Sequence, residues 1–396
     1  GLPHAGRLAM LKVTALLADA GYHECKSNKM VFKHATRDVV FTLVVDDFLV
    51  KYVNREDAEH LMSTLEKVYV MKTDWEAKKY LGITLDWDYT SAVRSVRLSM
   101  PNYVAKGVSK FSQWLGTIRK TSHGPGTPAP IVYGAQQTKI TDTTAEPKAE
   151  EKTMMQSFVG YFRYYAEAID STQLVKLGQL GQMQSKPTET TKREAGAFLD
   201  YVNTWPDASV VFYASDMILR CVSDGSHRGE PNGGSRVAGF HYFGTKGSNA
   251  INGAVQILCR LLDVQSSSAC ETELGAVYEN ARVNAGLRTL AGEMGHPQSA
   301  PTEFACDNKC AVGIACDTEK QKRAAAMDMR FLWVADRVRQ GQIKVTWSKG
   351  EGNLADYFTK IHPHKHHRAM RKHFVQDAQC YTERQIKRFE KKSRTD

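Results

Sequence analysis

Four acids, Asp224, Glu273, Asp307 and Asp356, stand far apart along the chain, each at the edge of a strand-like or helix-like segment. Two more, Asp46 and Asp47, sit side by side between two apolar runs. Carboxylates brought to one point repel one another unless a cation lies between them. Mg²⁺ takes one or two carboxylates and completes its shell with water and phosphate oxygens. Paired ions held this way support hydrolysis or transfer at phosphate. Each acid alone also has an ordinary explanation. Asp356 can cap a helix, Glu273 can lie on a solvated face beside Glu271, Asp307 can end a strand, and Asp46-Asp47 can be a polar turn. Their joint order, with the right elements around them, is what carries weight.

The first pair needs a hairpin. Val39 to Val45 is β-branched and apolar, and Phe48 to Val53 forms a second such run, so both read as strands with the two carboxylates at the tip, against a hydrophobic sheet. A helix capped by Asn54 follows, with Ala58, Leu61, Met62, Leu65 and Val68 on one apolar face. A hairpin with a helix packed on it is half of a polymerase palm.

The other four acids need a larger α/β unit. Ile218 to Ser223 reads as a strand delivering Asp224 at its end, Arg236 to Phe243 as a second, and Ala254 to Leu262 as a third. Ser266 to Ser268 can cap a helix that carries Glu273 in its first turns. Thr302 to Cys306 is a strand ending at Asp307, Arg323 to Gln340 is helical, Ile343 to Trp347 is a strand, and Asn353 opens a short helix with Asp356. Between the two units, residues near 118 to 152 are rich in Gly, Pro, Thr and Lys and read as a linker or long surface loop. Residues 153 to 206 read as helical. The aromatic stripes Phe158, Tyr161, Phe162, Tyr165 and Phe198, Tyr201, Val202 are assigned to core.

Composition bounds the reading. The 396 residues suffice for two or three domains, and 42% hydrophobic with 24% charged is ordinary for a soluble globular chain. No apolar run is long enough for a bilayer, no signal-peptide pattern is present, and no membrane partner is expected. The eight cysteines are scattered, as in reduced intracellular proteins of the cytoplasm or nucleus. Cys306, Cys310 and Cys316 read as buried free thiols rather than metal ligands. Net charge is +10, and from Lys360 to Asp396 eleven Lys or Arg stand against four Asp or Glu. Such an excess suits a nucleic acid or a solvated, partly disordered terminus, and charge alone does not choose; Lys349, Arg368, Arg371 and Lys372 are candidate phosphate contacts. His362, His364, His366 and His367 allow a metal site, but no well-spaced partner set is evident, and a basic extension beside the last helix is the preferred reading. Gly229 to Ser235 reads as a hairpin connection.

The strings LVVDDFLVKYVNREDAEHL, KKYLGITLDWDY and VRLSMPNYV resemble copia-type retrotransposon reverse transcriptases, and TELGAVY, CDN and NLADYFTK resemble the ribonuclease H segments of the same family. The resemblance runs from Gly1 to about Phe374. It implies an α/β chain: an α+β palm and thumb fragment over 1–112, a linker over 113–152, a helical connection over 153–207, a ribonuclease H domain with a mixed sheet and flanking helices over 208–375, and a basic tail over 376–396. Asp224, Glu273, Asp307 and Asp356 would then be catalytic ligands of two Mg²⁺ ions, with Mn²⁺ as substitute. Asp46 and Asp47 would be polymerase metal ligands, and Leu2-Pro3 and Gly6-Arg7 would lie near the incoming nucleotide. Glu271 rivals Glu273, which is preferred because Leu274-Gly275-Ala276 follows it as in the family.

Two departures qualify this. Val44 stands where many relatives have an aromatic residue. The family's first palm aspartate also lies upstream of Gly1, so the chain is read as a fragment unable to polymerise DNA by itself. The expected function is Mg²⁺-dependent endonucleolytic hydrolysis of the RNA strand of RNA–DNA hybrids. The alternative is an inactive transposon relic that binds nucleic acid or serves as a structural partner of an intact polymerase subunit.

Overall fold

The computed structural model describes residues 4–128, 142–145, 149–230, 233–318 and 329–378. Leu2-Pro3, Cys380, residues 323–328 of the expected helix and the tail beyond 378 lie outside the described residues. The chain divides into two compact units, one of residues 1–86 and 285–299 and one of residues 87–284 and 300–396.

In the first unit, helix α1 (Ala5–Asp19) precedes an antiparallel sheet in sequential order, β1 (Tyr22–Glu24), β2 (Val31–His34), β3 (Val39–Val44) and β4 (Asp47–Tyr52), followed by α2 (Arg55–Glu66). Burial alternates along β3, so Val39, Phe41 and Leu43 meet Val13, Leu17, Leu61 and Leu65 in one core. Asn54 takes the N-cap position of α2 without a side-chain capping bond. The helix stops at Glu66, which leaves Val68 exposed and outside the buried face expected for it. Strands β5 (Lys79–Tyr80) and β6 (Ile83–Asp88) pair antiparallel.

The second unit contains β7 (Ser95–Ser99) and four helices, α3 (Tyr103–Leu115), α4 (Ala149–Ala168), α5 (Leu174–Met183) and α6 (Glu189–Thr204). Thr188 and Thr191 close a reciprocal capping box at the start of α6. The aromatic stripes are core: Phe158, Phe162, Tyr165, Phe198, Tyr201 and Val202 are buried, and Tyr161 stacks on Tyr103. Strand β8 (Ala208–Tyr213) pairs antiparallel with β7 on one side and with β14 (Gln376–Asp377) on the other.

The site-bearing sheet begins after β8. Its strands are β9 (Ile218–Ser226), β10 (Arg236–Gly244), β11 (Ala254–Leu261), β12 (Thr302–Cys306) and β13 (Ile343–Trp347), in the spatial order β11-β10-β9-β12-β13. The β9–β10 and β10–β11 pairs are antiparallel, and β9–β12 and β12–β13 are parallel. The mixed sheet requires crossovers, supplied by α7 (Ala269–Glu293) and by α8 (Lys309–Ala315) with α9 (Met329–Arg339). Leu274, Val277 and Ala281 of α7 pack with Cys221, Phe304, Cys306, Val334, Ile343 and Val345 into one core. The chain is thus α/β. A 3₁₀ turn (Leu354–Phe358) and α10 (His364–Arg371) complete it. No described helix is long and apolar enough to cross a membrane.

Candidate metal centre

Three of the expected acids meet. Asp224 comes from β9, Glu273 from α7, and Asp307 from the residue just after β12, and ligand oxygens of all three lie within 4.8 Å of one another. Asp224 is 4% exposed and Glu273 6%. The strand runs two residues past Asp224, which pairs with Ala238 of β10 and is not a strand end as expected. The parallel β9–β12 pairing brings Asp224 and Asp307 to the same edge.

Local sequence explains each placement. Ser268 Oγ accepts the Glu271 N–H at 3.2 Å, and the Glu271 carboxylate accepts from the Ser267 N–H and hydroxyl, each at 2.7 Å. Glu271 is therefore committed to the N-terminal cap of α7. Two residues on, at about 100° per residue, Glu273 lies on the opposite side of the helix, toward the sheet. Gly225 permits the approach: a Cβ there would lie 2.8 Å from the Thr272 carbonyl oxygen. The Gly225 N–H donates to the Glu273 carboxylate. After β12, the Asn308 side chain caps α8 by accepting the Ala311 N–H at 3.0 Å, which holds the turn carrying Asp307. Gly350 packs on Asp307, where a Cβ would lie 2.7 Å from Oδ2.

Burial and mutual repulsion act together on these groups. Asp224 is pushed up to about 7, first by burial and then by Asp356 and Asp307. Glu273 is raised by burial, then by Asp224 and Asp307. Asp307 is raised by burial and by Asp356. Carboxylates this close, with few cations among them, are an all-oxygen donor set suited to a hard divalent cation. The residues present therefore fit Mg²⁺ or Mn²⁺.

Asp356 stands at the edge of this group. It is half-buried in the 3₁₀ turn, bonded to Lys360, with Oδ2 3.8 Å from His362 Nε2. Its charge acts on Asp224 and Asp307, but its ligand atoms group with His362 and His366 and not with the three acids. Asn353, not singled out as a site residue in the sequence, bonds Asp224 directly at 3.1 Å. Thr359 and Lys360 also act on Asp224. The polar first residue of NLADYFTK, just ahead of an acid, was the available signal.

Asp46 and Asp47 do lie at a hairpin tip, with Val44 paired to Asp47 and Val45 in a left-handed conformation at φ 59°. Both are exposed, contrary to the expectation of carboxylates against the sheet, because the turn carries them beyond its apolar face. Among the described residues no group of potential metal ligands includes them.

The basic residues divide. Arg7, Lys349 and Lys372 are exposed, and Arg368 is half-buried, donating to the Ser122 carbonyl at 3.0 Å. Arg371 is not the phosphate contact expected of it. It is 3% exposed and bonds Asp170, Asp377, Thr172 and Tyr201, so its guanidinium serves an internal network and does not reach phosphates. His367 is likewise internal, bonded to the Tyr357 hydroxyl at 2.6 Å. Cys306 is a buried thiol as expected, whereas Cys316 is partly buried and Cys310 exposed.

No family model matches the chain. It is 23% identical over 367 residues to a retrovirus-related Pol polyprotein from transposon TNT 1-94 of Nicotiana tabacum, covering 92% of this chain. The chain spans about a quarter of that relative's length, 26%. Among solved structures, a ribonuclease H1 isolated from compost by a metagenomic approach is 14% identical and aligns over 36% of this chain and 93% of its own, with a TM-score of 0.28. The same enzyme in complex with an RNA/DNA hybrid gives 14% identity, the same coverage and a TM-score of 0.27. The sequence relationship, running along nearly the whole chain, makes it similar to a retrotransposon Pol polyprotein, as its motifs imply.

Proposed function

We propose that the second unit carries a ribonuclease H-type centre that hydrolyses the RNA strand of RNA–DNA hybrids with Mg²⁺, and that residues 1–112 are a reverse transcriptase palm and thumb segment. The observation that carries the reading is the convergence of Asp224, Glu273 and Asp307, from a strand, a helix and a strand end, at the C-terminal ends of the central strands β9 and β12. The hybrid as substrate comes from the motif resemblance. Discrimination would rest on the 2′-hydroxyl and groove shape rather than base sequence.

Asp224, Glu273 and Asp307 would hold a divalent cation, with Asp356 at the edge of the set able to join it. A divalent cation bound there supplies Lewis-acid stabilisation of phosphate charge and lowers the pKa of an attacking water. The chain's own groups prepare that site. Asn353 fixes the Asp224 carboxylate. The Gly225 N–H orients Glu273, and Lys360 offsets part of the clustered negative charge. Lys349 and Lys372 are exposed cations available to a polyanion.

The test is cleavage of a labelled hybrid in Mg²⁺ by the full chain, beside Asp224→Asn. Loss of cleavage in the variant supports the reading. A folded wild-type chain that binds hybrid without cutting it in Mg²⁺ or Mn²⁺ would favour the inactive relic.

A further inference from the structure

A second group of ligating side chains gathers beside the acids, and the nuclease reading leaves its histidines unused. Asp356, His362 and His366 bring ligand atoms within 4.8 Å of one another. They come from the 3₁₀ turn, the connection after it and α10. His362 is buried and stacks on Tyr357 at 5.3 Å, with the rings 11° from parallel, so its position is fixed. His366 is exposed, with its ring centroid 4.6 Å from that of His362, leaving one side open to solvent.

The donor chemistry differs from that of the acid cluster. Two imidazoles and one carboxylate suit Zn²⁺, Co²⁺ or Ni²⁺ better than Mg²⁺, which prefers oxygen alone. Three protein ligands with an open fourth position is a common Zn²⁺ arrangement, and at bonds of about 2.0–2.1 Å the ligand atoms sit roughly 3.3–3.5 Å apart. Reaching that spacing from the present one requires a rotation of the exposed His366. Lys360 engages one carboxylate oxygen of Asp356, and the other faces His362.

We propose that Asp356, His362 and His366 form a second metal site, selective for a Zn²⁺-class transition ion and sharing Asp356 with the edge of the acid cluster. A consequence follows that rests on the proposed nuclease reading: occupancy engages Asp356 away from the acids and inhibits Mg²⁺-dependent cleavage.

Titration of the full chain with Co²⁺, followed by Zn²⁺ competition, tests the site apart from activity. The expected result is a visible d–d absorption without thiolate charge transfer, displaced by Zn²⁺ but not by excess Mg²⁺. His366→Ala, at an exposed position, weakens binding by at least about tenfold, His362→Gln does likewise, and Asp307→Asn leaves it unchanged. Binding unaffected by both histidine variants, lost in Asp307→Asn, or dominated by thiolate charge transfer overturns the proposal. In a cleavage assay, inhibition by Zn²⁺ is expected to be relieved in His366→Ala. Wild-type Co²⁺ binding without any cleavage would leave the site standing and the nuclease reading refuted.

Discussion

Asn353 donates its side-chain amide to Asp224 Oδ1 and to the Ser223 carbonyl, both at 3.1 Å, while its own oxygen accepts the Ala355 N–H at 3.0 Å. One buried side chain thus ties the 3₁₀ turn carrying Asp356 to the strand carrying Asp224. Asn353→Ala is expected to lower hybrid cleavage by about 10–100-fold, as loss of an orienting group around a metal ligand does. Mg²⁺ titration should show the concentration for half-maximal activity rising, with circular dichroism unchanged. Unaltered activity and Mg²⁺ dependence would remove Asn353 from the positioning role.

Glu271 and Glu273 separate by experiment. Glu271 bonds Ser267 at the cap of α7, so Glu271→Ala is expected to cost about 1 kcal/mol of stability and leave cleavage within a few-fold. Glu273→Gln is expected to abolish cleavage while preserving the fold. Denaturant melts and hybrid cleavage, measured on both variants, check this. The reverse pattern would assign the wrong acid.

The acid cluster gives the metal-free protein a specific pH dependence. Asp224 is raised to about 7, mainly by burial, and Glu273 and Asp307 are also raised. Groups raised on folding stabilise through their protonated forms. That contribution is full below the unfolded carboxylate range near 4 and is lost as pH rises through the folded values. Relative to Asp224→Asn, the metal-free wild type should therefore lose roughly 1–3 kcal/mol between pH 4 and 8. Mg²⁺ should raise the wild-type Tm at pH 8 and do so less in the variant. Parallel stability curves for the two proteins would contradict this.

Arg371 and Lys372 are neighbours with opposite expectations. Arg371→Met leaves Asp170 buried without its partner and is expected to cost about 3–5 kcal/mol in denaturant melts. Lys372→Ala should change stability by less than about 0.5 kcal/mol. If Lys372 meets phosphate, its loss lowers the slope of log affinity against log salt by about one. Equal destabilisation by both would contradict the buried network.

The sequence made the alternation of elements legible because hydrophobic period and caps are local. Val39 to Val45, Thr302 to Cys306 and Ile343 to Trp347 read as strands from their apolar runs, and the first ends one residue earlier, at Val44. The gathering of Asp224, Glu273 and Asp307 could be anticipated from their order at element edges and the motif resemblance. Three features were hidden because they depend on what long-range packing places nearby. Arg371 reads as one more cation of a basic segment until Asp170, from 201 residues earlier, closes on it. Asp46 and Asp47 were expected against a sheet, yet the left-handed Val45 turns them out to solvent. Asp356 belongs by sequence order with the acids, but the connection after its 3₁₀ turn folds His362 and His366 back onto it.

The most direct measurement is cleavage of an end-labelled RNA–DNA hybrid by the purified full chain in Mg²⁺, with Asp307→Asn alongside. Asp307 is the most solvent-accessible of the three gathered acids, so the substitution should leave the fold intact. Endonucleolytic products from the RNA strand are expected in the wild type, and a loss of at least about 10²-fold in the variant. No cleavage by the folded wild type, or equal cleavage by the variant, would contradict it.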